Sequence, residues 1–164
     1  MGKRVMQLLM EAYDLCEDGN FDEALKIYDK ALNEEPENIQ ALIDKAVTLQ
    51  TMQRYKSALK VYQSALKIDS KNTDLLVNLG SLLHTMKKYD EAISYYDKAI
   101  RIDKKSAMAL AYKGLSLGEM GKLQDAILYF KKALAIDKDY DLPNISAEIA
   151  KDLLKSIKKE SKKQ

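Results

Sequence analysis

The chain has one cysteine, one histidine, two prolines, six glycines and no tryptophan. A single cysteine excludes a disulfide framework and any zinc site built on several thiolates. A single histidine excludes metal centres and proton relays that need two. So few glycines and prolines argue against an all-β chain with many tight turns. No apolar run approaches the length of a membrane span. Charge of one sign is also missing: 27 Lys and Arg stand against 25 Asp and Glu, a net +2 that does not suggest a nucleic-acid binder. The start, Met1-Gly2-Lys3-Arg4, has the basic character of a leader, but Glu11, Asp14 and Glu17 interrupt the apolar segment a leader needs. Gly2 lacks the Ser or Thr that lipidation calls for, because Met6 stands there. The expectation is a soluble, cytoplasmic protein.

What is present is 164 residues, 46% apolar and 32% charged, enough for a core and a well-solvated surface. They repeat. Ala24, Ala58, Ala92 and Ala126 recur every 34 residues, as do Ala31, Ala65, Ala99 and Ala133. The aromatics Tyr28, Tyr62, Tyr96 and Phe130 follow the same interval. So do the small residues Ala12, Ala46, Gly80 and Gly114, and two leucine series, Leu8, Leu42, Leu76, Leu110 and Leu15, Leu49, Leu83, Leu117. Phe21, Tyr55 and Tyr89 continue with Leu123. No insertion breaks any series, so the chain reads as four units, roughly 5–38, 39–72, 73–106 and 107–140.

Each unit reads as two helices. Leu76, Leu79, Gly80 and Leu83 are spaced by three and four and make one stripe; Tyr89, Ala92, Ile93, Tyr96, Ala99 and Ile100 make a second. The link between them, Met86-Lys87-Lys88, has no room for a strand. Gly19 and Gly121 occupy the equivalent links and suit a left-handed turn. Asn38, Asn72 and Ser106 precede first helices as N-caps. Asp22, Asp90 and Asp125 open second helices, where negative charge meets the helix dipole. Alanine and glycine let helices approach, the large Tyr or Phe fills the space between, and stacking covers the apolar side that one hairpin leaves bare.

With its small–Leu pairs, the aromatic that opens each second helix and the Ala–Tyr–Ala series, the chain resembles the tetratricopeptide repeat family. Unit three, from Asn78-Leu79-Gly80 through Tyr89-Asp90-Glu91-Ala92 to Ile102-Asp103, matches most fully. Pro36 supplies the family's repeat-ending proline, which Ser70, Lys104 and Lys138 replace later. The first-helix Trp of the family is Leu8, Leu42, Leu76 and Leu110 here, and its first-helix Tyr is Leu15, Leu49, Leu83 and Leu117. The resemblance implies an all-α fold: a right-handed α-solenoid of four helix-turn-helix repeats forming one domain over 1–159. After Asp141-Leu142-Pro143-Asn144, a capping helix is expected at about 144–159, with Ile149, Ala150, Leu153, Leu154 and Ile157 as its apolar face and 160–164 as a basic tail. Residues 151–164 hold six Lys against Asp152 and Glu160, a net +4, and are expected to be a solvated end rather than a binding element.

The resemblance also implies a concave groove lined by first helices, where a peptide or partner helix lies. By resemblance unit one contributes Met6, Leu9, Met10, Tyr13 and Glu17, and unit two Gln40, Ile43, Asp44 and Val47. Unit three gives Asp74, Val77, Asn78, Ser81 and His84, and unit four Met108, Ala111, Tyr112 and Leu115. Methionines adapt to irregular partners, and tyrosines combine area with a polar tip. The competing reading is that packing between neighbouring helices buries part of this set. The family's clamp for the acidic C-terminal tail of heat-shock chaperones uses Lys, Arg and Asn on three successive first helices. Starting from unit one, the corresponding residues are Leu9, Tyr13, Asp44, Asp74 and Asn78; starting from unit two they are Ile43, Val47, Asn78, Met108 and Tyr112. Only Asn78 fits, and the aspartates repel a carboxylate. The expected partner is therefore another protein's apolar or mildly basic segment.

No catalytic, cofactor or metal residue is expected, and the chain is read as a non-enzymatic adaptor or scaffold. Cys16 and His84 share a repeat offset but lie two units apart, too far for a nucleophile–base pair. Carboxylate pairs such as Asp22-Glu23 are accounted for by helix starts. Self-association through the terminal helix, or a co-chaperone-like role without the clamp, is the competing expectation; nucleic acid and membranes are not expected partners.

Overall fold

The computed structural model describes residues 2–139. Eight helices follow one another: α1 Lys3–Glu17, α2 Phe21–Glu34, α3 Ile39–Thr51, α4 Tyr55–Ile68, α5 Thr73–Thr85, α6 Tyr89–Ile102, α7 Ala107–Glu119 and α8 Leu123–Ile136. There is no strand among the described residues. The fold is all-α and built from helical hairpins, as the repeat requires. By compactness the chain divides into two units, Met1–Asn78 and Leu79–Gln164, with the division inside α5. The capping helix expected at 144–159 and the basic tail lie outside the described residues.

The helix ends are set by the residues the repeat places there. Asn38 accepts the Ala41 N–H at 3.0 Å, Asn72 that of Leu75 at 3.0 Å, and Ser106 that of Ala109 at 3.2 Å. Each satisfies a donor left free in a first helical turn. First helices end in a left-handed residue, Gly19 at φ 77° and Gly121 at φ 75°. Gln53 and Lys87 take the same conformation, φ 59° and 60°, at the same repeat position without being glycine. In every case the following N–H reaches back five residues, from Asn20 to Leu15, Arg54 to Leu49, Lys88 to Leu83 and Lys122 to Leu117, at 2.7–2.9 Å. Between repeats, the carboxylates of Asp69, Asp103 and Asp137 accept the N–H two residues on, from Lys71, Lys105 and Asp139. These turns take over where the family's proline is missing.

The core follows the 34-residue beat. All eight repeated alanines of the second helices are fully buried, and Tyr28, Tyr62, Tyr96 and Phe130 between them are at most 3% exposed. In the second unit, a Cβ on Gly80 would lie 2.4 Å from Cε1 of Tyr96, and one on Gly114 would lie 2.5 Å from Cε1 of Phe130. The absence of a side chain at these midpoints is what lets each first helix seat the aromatic of its own hairpin.

Candidate functional site: faces of the first helices

In the first unit, α1 puts Val5 and Ala12 into the core. The opposite stripe, Met6, Met10 and Tyr13, stands 49%, 64% and 61% exposed. This is unusual exposure for three large apolar side chains in a row on one helix face. Glu17 continues the stripe at helical spacing and is exposed. On α3, Gln40, Asp44 and Val47 form the matching stripe, with Val47 41% exposed and Asp44 half-buried. Gln40 Nε2 donates to Asp44 Oδ1 at 2.8 Å. The two helices are joined by a polar contact, Cys16 Sγ to Thr48 Oγ1 at 3.4 Å, with Tyr28 Oη 3.9 Å from the same sulfur. Thr48 in turn donates to the carbonyl of Asp44 at 2.9 Å.

Electrostatics at this face are dominated by burial. Desolvation raises the Asp44 carboxyl above its ordinary range, and the Gln40 hydrogen bond offsets only part of that. The Tyr28 and Tyr62 phenols are pushed up by burial first; Asp44 adds to both, and Cys16 adds to Tyr28. Tyr62 is fully buried, and its hydroxyl has no hydrogen-bond partner among the described residues.

In the second unit, α7 exposes Met108 by 50%. Tyr112 is half-buried, its ring stacked 6.0 Å from that of Tyr96 at an interplanar angle of 17°. Leu115 is half-buried. Ser81 and His84, on the last turns of α5, are half-buried too. His84 Nδ1 is hydrogen-bonded to Ser116 Oγ at 2.8 Å, and its ring meets that of Tyr89 edge-on at 5.3 Å. Burial lowers the His84 pKa, and the Glu119 carboxylate opposes this more weakly. Lys113 is drawn down by burial, yet the bond to Asp97 at 2.6 Å and the Tyr129 ring beneath it hold it above its usual value. In the first unit Lys45 forms the repeat-equivalent ion pair, with Asp29.

The structure narrows the expected set. Ile43, Val77 and Ala111 are 7%, 3% and 0% exposed and cannot meet a partner. They share one repeat offset, and that offset packs inward. Leu9, at the same offset in α1, is half-buried. Asp74 is exposed and Asn78 half-buried on α5. None of the clamp positions carries a cation. Cys16 contacts Thr48 and Tyr28, while His84 contacts Ser116 and Tyr89, so each is engaged by its own unit. Among the described residues no group of three or more His, Cys, Asp or Glu could hold a metal ion. No described helix is long and apolar enough to cross a membrane.

Sequence reasoning missed the buried polar residues Thr48 and Ser116, 4% and 0% exposed. A signal was present: they sit 68 residues apart, as do their partners Cys16 and His84, and as do the pairs Asp29–Lys45 and Asp97–Lys113. The polar links therefore recur every second repeat, once within each compact unit.

A tetratricopeptide repeat family model matches residues 72–139, and a tetratricopeptide-like model described as anaphase-promoting complex, cyclosome, subunit 3 matches residues 17–99. No curated protein gives a significant sequence match. Among solved structures, PilF of Pseudomonas aeruginosa aligns with a TM-score of 0.83 at 26% identity, over 94% of this chain and 69% of that one. MamA of Desulfovibrio magneticus RS-1 aligns with a TM-score of 0.73 at 17% identity, over 100% and 98%. YrrB, described as a tetratricopeptide repeat protein with an unusual peptide-binding site, aligns with a TM-score of 0.67 at 22% identity, over 90% and 76%. Repeat spacing, capped hairpins, the alanine–aromatic core and these matches agree, and the chain belongs to the tetratricopeptide repeat family.

Proposed function

We propose that the chain is a protein-interaction module that holds a peptide or short helix of another protein against the exposed faces of its first helices. The observation that carries this reading is the stripe Met6, Met10, Tyr13, which α1 presents to solvent although its other side is seated in the core. Flexible thioethers and a phenol that keeps a polar tip suit a segment with apolar side chains. Val47 is exposed on α3, the next first helix, which Thr48 links to Cys16 of α1. The peptide-binding site named for YrrB gives a precedent in the same fold.

Selection of a random peptide library on the full chain, followed by anisotropy titration of the recovered peptides, tests the reading. Replacing Met10 and Tyr13 by Ala is expected to weaken binding by roughly tenfold or more, because large anchors carry most of the energy of such contacts. The melting temperature should hardly move, since exposed positions contribute within about 0.5 kcal/mol to folding. A library that yields no binders, or peptides that bind the double variant equally well, would overturn it.

A further inference from the structure

We propose that Asp44, on the exposed stripe of α3, is the seat for a lysine or arginine of the bound segment. This deepens the reading above and rests on it. Asp44 is half-buried, and its side-chain hydrogen bond comes from a neutral donor, Gln40. Among the described residues no ion pair involves it. An anion partly removed from water without a counter-charge is unfavourable, and it is relieved when a cation is brought to it. Burial accordingly keeps the Asp44 carboxyl above its ordinary range.

A neighbouring hydroxyl does not relieve the carboxylate. Tyr62 is fully enclosed and close enough to feel the Asp44 charge, yet its hydroxyl, like that of Tyr96, has no partner among the described residues, so it gives Asp44 no hydrogen bond. A guanidinium, with five N–H groups, or an ammonium, with three, supplies donors and charge together. Val47 stands beside Asp44 on the same exposed stripe of α3, and α1, which exposes Met6, Met10 and Tyr13, is joined to α3 through Cys16 and Thr48, so a basic residue flanked by apolar ones suits these faces. The exposed stripes that contain these residues, Met6 to Glu17 on α1 and Gln40 to Val47 on α3, carry two carboxylates, Glu17 and Asp44, and no cation. The preferred segment is thus apolar with a basic residue in its middle. This is the opposite charge from that of an acidic tail.

The test compares peptide selections on the full chain and on Asp44→Asn, which keeps the side-chain shape and a partner for Gln40. On the wild-type chain the recovered peptides should be enriched in Lys or Arg next to apolar residues. On Asp44→Asn that enrichment should vanish. The Kd of a wild-type-selected basic peptide should rise roughly tenfold for the variant, as loss of a charge-assisted hydrogen bond implies. A version of that peptide with Gln in place of its basic residue should bind both chains alike. The variant should melt no lower than the wild type, which shows that it is folded. Apolar binders without basic enrichment, or the same enrichment on Asp44→Asn, would overturn the proposal while leaving the binding face intact. No binders at all would overturn both.

Discussion

A methyl group added at Gly80 would stand 2.4 Å from Cε1 of Tyr96, closer than real contacts allow. Tyr96 is fully buried and cannot swing away without opening the core. At Gly118, in the next first helix, the nearest atom to an added Cβ is the Ala126 methyl at 3.9 Å, an ordinary contact. Both glycines sit in helices, so the two substitutions share a gain in helix propensity and differ in clash. Gly80→Ala should destabilise the chain by about 1–3 kcal/mol, whereas Gly118→Ala should stabilise it by about 0.5–1 kcal/mol. Urea unfolding midpoints moving in the same direction for both would contradict the packing described. The need for a small residue at Gly80 is legible in the sequence, because Ala12, Ala46 and Gly114 share its offset. The fate of Ile43, Val77 and Ala111 is not. A resemblance identifies a helix face but not its width, and adjacent helical residues such as Ile43 and Asp44 lie about 100° apart around the axis. One of them turns into the core.

At the scale of an element, the ends of the first helices show where local sequence and local structure part. Gly19 and Gly121 announce a left-handed terminus, but Gln53 and Lys87 adopt it with a side chain. They are held there by the back-bonds from Arg54 to Leu49 and from Lys88 to Leu83. The repeat, rather than the residue, dictates the conformation. Left-handed backbone costs a residue with a Cβ about 1–2 kcal/mol, and glycine avoids that cost while losing more chain entropy on folding. Lys87→Gly should therefore stabilise the protein, by about 0.5–1 kcal/mol after the entropy is counted. A lowered melting temperature would show that Lys87 is held by something other than the turn. The Asp69, Asp103 and Asp137 turns were legible only after the fact. An aspartate at a repeat boundary also suits a surface, and only the N–H two residues on reveals its role.

At the scale of the whole molecule, the eight helices of the described residues and their order could be read from the interval alone, because unbroken copies of one pattern constrain every boundary at once. Of the residues proposed to meet a partner, Met6, Met10, Tyr13 and Val47 are exposed, while the buried polar residues Thr48 and Ser116 are not legible in the sequence. Tyr62 reads as an ordinary core aromatic in sequence, and that its hydroxyl has no partner among the described residues emerges only when burial and partners are known together. The pairs that join Cys16 to Thr48 and His84 to Ser116 escaped for a related reason: each is set by two residues from different repeats. Amide chemical-shift mapping with a selected peptide tests the central claim most directly. The largest shifts should fall on the first-helix stripes of α1 and α3, at Met10, Tyr13, Asp44 and Val47. Shifts gathered instead on the second helices, around the exposed Ile68, Ile102 and Leu128, would contradict it.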